Sequence, residues 1–157
     1  MKLSGRTDIG APMAFVFDAL SDFENWERAA LRRGADVMRT DGLRGVCIGM
    51  SWLVRFAWRG REREIQIKLV QWDGPARLAL AGDGPSIEGG ANIELIELAS
   101  RRTRMFLQVE LKPRTLAARL FIQSLKLAKS RVNAQFEARI QQIAKEIEAR
   151  YADARAG

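Results

Sequence analysis

Residues 115–151 read TLAARLFIQSLKLAKSRVNAQFEARIQQIAKEIEARY and form the one long segment with a helical period. Apolar side chains recur along it in steps of one, three or four residues, which places them on one face of a helix. They are Leu116, Leu120, Phe121, Leu125, Ala128, Val132, Phe136, Ile140, Ile143, Ile147 and Tyr151. Such a stripe needs an apolar surface to lie on, and a curved antiparallel sheet can provide it. The segment therefore predicts a long C-terminal helix on a sheet, an arrangement that often leaves a pocket.

The sequence before this segment alternates apolar and polar side chains in short stretches, which is typical of strands with one dry and one solvated face. The apolar positions are Trp52, Val54, Phe56, Trp58, Ile65, Ile67, Leu69, Leu78, Leu80, Ile93, Met105 and Leu107. The alternation changes phase after Leu69 and again near Ile96, and the first change predicts a bulge or a twist. The polar positions, such as Arg55, Glu64 and Glu94, predict an outer face with cross-strand charge pairs.

Punctuating residues indicate how the strands and helices are joined. Residues 2–9 alternate as a short first strand, and Pro12 stands where a helix can begin. Ser21 or Asp22 can cap a second short helix, and Ser21 with Glu24 has the capping-box spacing. Four glycines interrupt the middle of the sheet pattern, where we expect a tight turn and a bend. They are Gly82, Gly84, Gly89 and Gly90. No linker or repeat divides residues 1–157, so we expect a single domain.

This order of elements resembles the helix-grip arrangement of the START, polyketide cyclase-dehydrase and lipid-transport (SRPBCC) superfamily. The resemblance rests on residues 7–18, TDIGAPMAFVFD, on residues 21–26, SDFENW, and on the strand segments 52–58, 64–72 and 103–111. It implies an α+β fold in which a curved antiparallel sheet wraps around a long C-terminal helix, with two short helices after the first strand. It also implies a hydrophobic cavity, with ligands that range from lipids to polyketides.

Charge and composition indicate the setting in which the protein works. The chain has 26 Lys and Arg against 19 Asp and Glu, a formal net charge of +7. The cations are scattered, so we expect a solvated basic surface, no specific nucleic-acid binding and at most a weak, salt-dependent affinity for anionic membranes. Cys47 is the only cysteine, and neither a secretory signal nor a transmembrane run is present. These features predict a soluble, cytoplasmic protein.

The sequence offers little for catalysis. Histidine is absent, and one cysteine cannot form a Cys–His pair or a cysteine-rich zinc site. We therefore predict no catalytic residue, no metal and no cofactor. The carboxylates with a strand-like setting, which we expect to be solvated, are Glu62, Glu64, Glu88 and Glu94. The pattern favours binding over an enzymatic activity.

The apolar side chains on one face of the predicted strands and on the helix stripe are candidate pocket residues, although ordinary core packing would use the same side chains. The candidates are Trp52, Val54, Phe56, Trp58, Ile65, Ile67, Trp72, Leu78, Leu80, Ile93, Met105, Leu107, Phe121, Leu125 and Val132. We predict that the cavity binds a hydrophobic or amphipathic molecule, lipid- or polyketide-like. Two alternatives remain open at this point. One is a polyketide cyclase or dehydratase, and the other is a non-catalytic interaction module that docks through its basic surface.

Overall fold

The computed structural model describes residues 1–58 and 60–156, apart from the side chain of Trp58. The elements follow the order that the sequence predicts, with two short helices after the first strand and helical structure at the end of the chain. They are β1 (Lys2–Ile9), α1 (Met13–Leu20), α2 (Phe23–Arg32), β2 (Asp36–Arg39), β3 (Ser51–Trp58), β4 (Arg61–Asp73), β5 (Arg77–Asp83), β6 (Ile87–Ala99), β7 (Arg102–Pro113), α3 (Leu116–Leu127) and α4 (Lys129–Ala156).

Within the described residues, seven strands form one antiparallel sheet in the order β1-β7-β6-β5-β4-β3-β2. All strands after β1 pair with their sequence neighbours, and β1 returns to pair with β7. The predicted α+β helix-grip arrangement is thereby confirmed. None of the helices in residues 1–58 and 60–156 combines the length and the apolar character that a membrane crossing requires.

Two irregularities in the sheet occur where the sequence changes phase. The register of β4 against β5 shifts between Leu69 and Gln71, so Leu69 is fully buried while Val70 is exposed. The register of β6 against β7 shifts between Glu97 and Ala99, and Ile96 is exposed beside the buried Leu95. An extra residue at Val70 turns the following side chains to the other face, which is why the first phase change appears in the sequence. Ile96 still pairs in register with Arg104, so the second phase change reflects exposed apolar side chains, Ile96 and Leu98, that precede or lie within the shift.

The glycines of the β5–β6 region allow close approach of backbones. A Cβ on Gly84 would lie 3.1 Å from the carbonyl oxygen of Ile87, and one on Gly90 would lie 3.1 Å from that of Leu80. A Cβ on Gly89 would collide with the carbonyl oxygen of Glu110. At Gly89 there is no room for a side chain, whereas at Gly84 and Gly90 a side chain would require the neighbouring backbone to move slightly.

The C-terminal helical segment is interrupted, which the sequence does not predict. Ala128 leaves the helical conformation (φ −101°, ψ 30°), so α3 ends and α4 begins on either side of it. The break changes which side chains face inward. Leu116 and Leu120, expected on the buried stripe, are 73% and 59% exposed, whereas Ala118 and Ile122 are buried. The predicted stripe holds along α4, through Ile140 and Ile147. Along α3 it holds only in part, since Phe121 and Leu125 are half-buried while Leu116 and Leu120 are exposed.

The cap of α2 is one of the two that the sequence offers, Asp22, and not Ser21 of the capping-box pair. Asp22 is the N-cap, and its carboxylate accepts a hydrogen bond from the backbone N–H of Asn25 at 3.3 Å. Ser21 instead uses its hydroxyl to accept a hydrogen bond from Nε1 of Trp72 at 2.9 Å. The hydroxyl of Ser21 thus has a tertiary partner, and the helix is capped by the next residue.

The buried core lies where α1 and the second half of α4 pack against the sheet. Its members are aliphatic, aromatic and sulfur-containing side chains from almost every element. They include Ile9, Val16, Leu20, Leu69, Leu78, Leu95, Met105, Ile140, Ala144 and Ile147. Helix α4 crosses β1 closely, since a Cβ on Gly5 would lie 2.5 Å from Cδ1 of Ile140. Thr7 adds a hydrogen bond of 3.1 Å from its hydroxyl to Oε1 of Gln141.

Candidate functional site

A cavity of about 700 Å³ lies at the end of the domain away from this core. Its walls come from four places in the chain that the fold brings together. They are Phe56 near the end of β3, residues 61–65 at the start of β4, residues 84–87 around the β5–β6 turn, and Thr115, Ala117, Ala118 and Phe121 at the start of α3. A volume of this size is within the range of small-molecule pockets, roughly 300–1,000 Å³.

Strand pairing explains the apolar wall on the sheet side. Phe56 pairs with Arg63 and Val54 pairs with Ile65, so these four positions belong to the same face of β3 and β4. Because side chains alternate along a strand, the intervening Glu62 and Glu64 belong to the opposite face. Glu64 accepts a hydrogen bond from Nε of Arg55 at 2.7 Å on that outer face, as the sequence predicts.

Arg63 is a polar cavity residue that was not among the pocket residues predicted from the sequence. It lines the cavity, it is half-buried, and it is the cross-strand partner of Phe56. Its signal was present in the sequence, since Arg63 has the same parity as Ile65, Ile67 and Leu69. A guanidinium group on an apolar wall can donate hydrogen bonds to a carboxylate, a phosphate or a carbonyl group.

Arg114 closes one side of the cavity rim by joining the β5–β6 turn to the start of α3. Its guanidinium group contacts Asp83 at 2.6 Å and Glu88 at 2.7 Å, and it donates a hydrogen bond to the carbonyl oxygen of Gly84 at 3.1 Å. The hydrogen bond from Arg114 lowers the pKa of Glu88, and the pKa of Arg114 is raised in return. The backbone N–H of Arg114 also donates to the carbonyl oxygen of Ser86 at 2.8 Å.

The structure places the predicted pocket residues in three groups. Phe56, Ile65 and Phe121 line the cavity. A second group is buried in the core and consists of Trp52, Leu78 and Met105. A third group is half-buried and packs against the core, and it consists of Val54, Ile67, Trp72, Leu80, Ile93 and Leu107. Leu125 and Val132 are half-buried on α3 and α4 without contributing to this cavity wall. The side chain of Trp58 lies outside the described part of the chain.

Two of the tryptophans have structural partners. Nε1 of Trp52 donates a hydrogen bond to Oε1 of Glu27 at 2.8 Å, and the ring packs against Phe23 with centroids 5.1 Å apart. Nε1 of Trp72 donates to Ser21, and its ring stacks on Phe17 with centroids 6.0 Å apart. Both side chains therefore fix α1 and α2 to the sheet.

The described residues offer no cluster of three or more His, Cys, Asp or Glu that could hold a metal ion. Two more of the glutamates considered in the sequence form ion pairs with arginine. Glu94 pairs with Arg77 at 3.5 Å across the outer face, and Glu88 pairs with Arg114 at the rim. Cys47 is half-buried and free. The site is therefore a mostly apolar cavity whose β4 wall also carries Arg61 and Arg63.

No protein-family model matches the sequence, and no curated protein does either. Solved structures, in contrast, match over nearly the whole chain. The Zhui aromatase/cyclase from Streptomyces sp. R1128 superposes with a TM-score of 0.68 at 14% identity, covering 96% of this chain and 94% of its own. TTHA0849 from Thermus thermophilus gives 0.67 at 15% identity, covering 95% and 98%. A START superfamily protein from Mycobacterium smegmatis gives 0.58 at 12% identity, covering 90% and 98%. At these identities the likeness establishes the shared helix-grip fold.

Proposed function

We propose that the protein binds a hydrophobic or amphipathic small molecule, lipid- or polyketide-like, in the cavity between the sheet and α3. The observation that carries the proposal is the cavity itself, about 700 Å³ in volume and lined by Phe56, Ile65 and Phe121. The cavity opens partly to solvent, and a concave, mostly apolar recess of this size is the usual setting of a small-molecule site.

Arg63 gives the proposed ligand a polar end. The arginine lines the cavity beside apolar side chains, so its guanidinium group offers hydrogen-bond donors at the wall that a bound ligand would contact. A ligand with a carboxylate, phosphate or polarised carbonyl group could accept hydrogen bonds from the guanidinium. We therefore infer an amphipathic ligand, with its apolar part against Phe56 and Phe121.

The fold is compatible with this function. The Streptomyces protein of the same fold is named an aromatase/cyclase, and that name supports a polyketide-like ligand for this chain as one member of the proposed class. The cavity-lining residues are what would distinguish a binder from an enzyme here. Arg63 could hold a carbonyl group of the ligand in a binding protein and in an enzyme alike, so we propose binding and assign no reaction.

A titration with two fluorescent probes tests the proposal. One probe, Nile red, is neutral, and the other, 1-anilinonaphthalene-8-sulfonate, is anionic. Phe121→Ala should lower the affinity for both probes roughly tenfold, because the truncated side chain loses about 1–3 kcal/mol of apolar burial. Arg63→Met should lower the affinity for the anionic probe more than that for the neutral probe, because methionine keeps an apolar stem and removes the charge.

Two variants serve as matched controls. Phe106→Ala removes a half-buried ring from the polar-parity face of β7, and Glu64→Gln changes the outer charge paired with Arg55. Neither should change probe binding if the variant folds. A wild-type protein that binds neither probe, and that retains no ligand from a lipid extract by native mass spectrometry, would contradict the proposal. The interaction-module alternative would then gain support.

A further inference from the structure

Helix α3 exposes three leucines on the side away from the cavity. Leu116, Leu120 and Leu127 are 73%, 59% and 91% exposed. Their spacing of four and then seven residues aligns them in one stripe along the helix. The opposite side of α3 carries the buried Ala118 and Ile122 and the cavity residue Phe121. Helix α3 is therefore apolar on two faces, and only one of them has a partner in the described chain.

The stripe lies in the most basic part of the protein. Between Glu110 and Glu137 there is no carboxylate, and six cations account for most of the net charge of +7. They are Lys112, Arg114, Arg119, Lys126, Lys129 and Arg131. Lys112 lies 3.9 Å from Glu110, and Arg114 pairs with Asp83 and Glu88. The other four cations form no ion pair within residues 1–58 and 60–156.

The cations beside the leucine stripe are positioned as they are in helices that lie at a membrane interface. Arg119 and Lys126 are seven residues apart and so lie along one edge of the leucine stripe. Exposed leucines that are bordered by Lys and Arg are typical of helices that lie in the headgroup region of a bilayer. The cations are attracted to anionic lipid, and the leucines enter the acyl boundary.

Other occupants fit this surface less well. A second copy of the chain would bring two cationic faces together, which like-charge repulsion opposes. A nucleic acid would use the cations but would gain little from three exposed leucines, and single strands need aromatic stacking surfaces that α3 does not present outward. Charge complementarity together with apolar exposure therefore selects one partner.

We propose that the outer face of α3 docks on an anionic membrane surface. Leu116, Leu120 and Leu127 enter the acyl boundary, while Arg119 and Lys126 contact acidic headgroups. The cavity lies against the other side of the same helix, so docking places its α3 wall next to the bilayer. This proposal goes beyond ligand binding and does not depend on it, because the docking surface is complete without an occupied cavity.

Vesicle flotation tests the docking directly. Purified protein is mixed with vesicles of phosphatidylcholine alone or with roughly one-third phosphatidylserine. The wild type should float with the phosphatidylserine vesicles and lose most of its binding between about 0.05 M and about 0.3 M salt. Leu120→Gln combined with Leu127→Gln should weaken binding by roughly tenfold or more, because two side chains no longer enter the apolar boundary.

Matched variants separate this helix from general surface properties. Leu31→Gln with Met38→Gln removes two exposed apolar side chains elsewhere, 54% and 53% exposed, and should leave flotation unchanged. Arg119→Gln with Lys126→Gln should weaken binding by roughly tenfold. Arg44→Gln with Arg101→Gln lowers the net charge equally but should have a much smaller effect. Circular dichroism establishes that each pair of substitutions leaves the fold intact.

Three results would overturn the proposal. One is equal flotation with both vesicle types. Another is equal loss of binding in the α3 cation variant and in the Arg44 and Arg101 variant, which would assign binding to bulk charge. The third is a concentration-dependent dimer without lipid that the leucine substitutions abolish, which would assign the stripe to a second copy. Protection of α3 amides from hydrogen exchange only on phosphatidylserine vesicles would support docking independently of flotation.

Discussion

Ser21 lies at the junction of α1 and α2, where its hydroxyl accepts the indole N–H of Trp72. The side chain is 7% exposed, so bulk water has little access to replace this bond. Nε1 of Trp72 is the donor of that bond, and its ring stacks on Phe17 from α1. One hydroxyl thus fixes the position of α1 relative to β4. A sequence pattern could assign Ser21 to a helix cap, but it could not show that a donor 51 residues away competes for the same oxygen.

Ser21→Ala should lower the free energy of unfolding by about 1–2 kcal/mol. The reason is that the substitution leaves the Trp72 indole N–H without its acceptor, and an unmet donor in a largely buried site costs free energy. Urea denaturation followed by circular dichroism measures the loss. Ser100→Ala, at an exposed turn, should leave the midpoint unchanged. Equal urea midpoints for Ser21→Ala and Ser100→Ala would contradict this prediction, because they would mean that a water molecule replaces the Ser21 hydroxyl without a loss of stability.

Asp8 ties β1 to β7 through two arginines. Arg104 donates hydrogen bonds to Oδ1 and Oδ2 of Asp8 at 2.8 Å and 3.2 Å, and Arg102 adds one of 2.9 Å. These bonds, with that from Arg104 the largest influence, lower the pKa of Asp8 from 3.8 to about 2. The folded state therefore favours the ionised carboxylate. Its contribution to stability is complete above pH 3.8 and is lost as the pH falls toward about 2.

Asp8→Asn should be less stable than the wild type at neutral pH, and the difference should shrink as the pH falls through that window. The substitution removes the titrating group, so the variant lacks this part of the acid sensitivity. Urea midpoints of both proteins across the window measure the difference. Asp153→Asn, an exposed position near the end of α4, is the control and should follow the wild type throughout. A constant difference at every pH would contradict the assigned role of the ion pairs.

Helices α3 and α4 differ in how they are held, although the sequence presents them as one segment. Helix α4 buries Ile140, Ala144 and Ile147 against the core, whereas α3 buries Ala118 and Ile122. The helical period of residues 115–151 could be predicted because it is local, but the break at Ala128 could not. Neither glycine nor proline marks it, and the break is visible only in the backbone geometry.

Backbone amides of α3 should exchange with solvent faster than those of α4 between Ile140 and Ile147, by roughly tenfold or more. Helix α3 has fewer buried side chains to lose when it opens, so its local opening costs less free energy. Hydrogen exchange read by mass spectrometry on peptides from both helices measures the contrast within one sample. Equal protection along residues 116–127 and 140–147 would show that the two helices open together.

At the scale of the whole molecule, the sheet has a packed end and an open end. The parity of the strands correctly predicts which face of the sheet is apolar, because alternation is a property of each strand alone. It does not predict where along that face packing stops. Trp52 and Phe56 belong to the same face of β3, yet Trp52 is buried beside Phe23 and Phe56 lines the cavity. That difference depends on where α2, α3 and α4 lie, which no single strand encodes.

Substitutions at the two ends should therefore affect different properties, stability at the packed end and ligand affinity at the open end. Ile140 is fully buried against β1, so Ile140→Ala should lower the free energy of unfolding by about 2–5 kcal/mol through lost burial and a new void. Its folded fraction should still bind a Nile red probe as the wild type does. Phe121 lines the cavity and is only half-buried, so Phe121→Ala should reduce probe affinity with a smaller loss of stability.

Urea denaturation and probe titration on the same preparations measure both quantities, and Gln135→Ala, exposed on α4, controls for helix substitution. Proportional losses of stability and affinity in both variants would mean that the two ends form one cooperative interior. Separate losses would mean that the packed end maintains the fold while the open end is available for a ligand. The second outcome is the one expected, because Ile140 belongs to the core cluster and Phe121 does not.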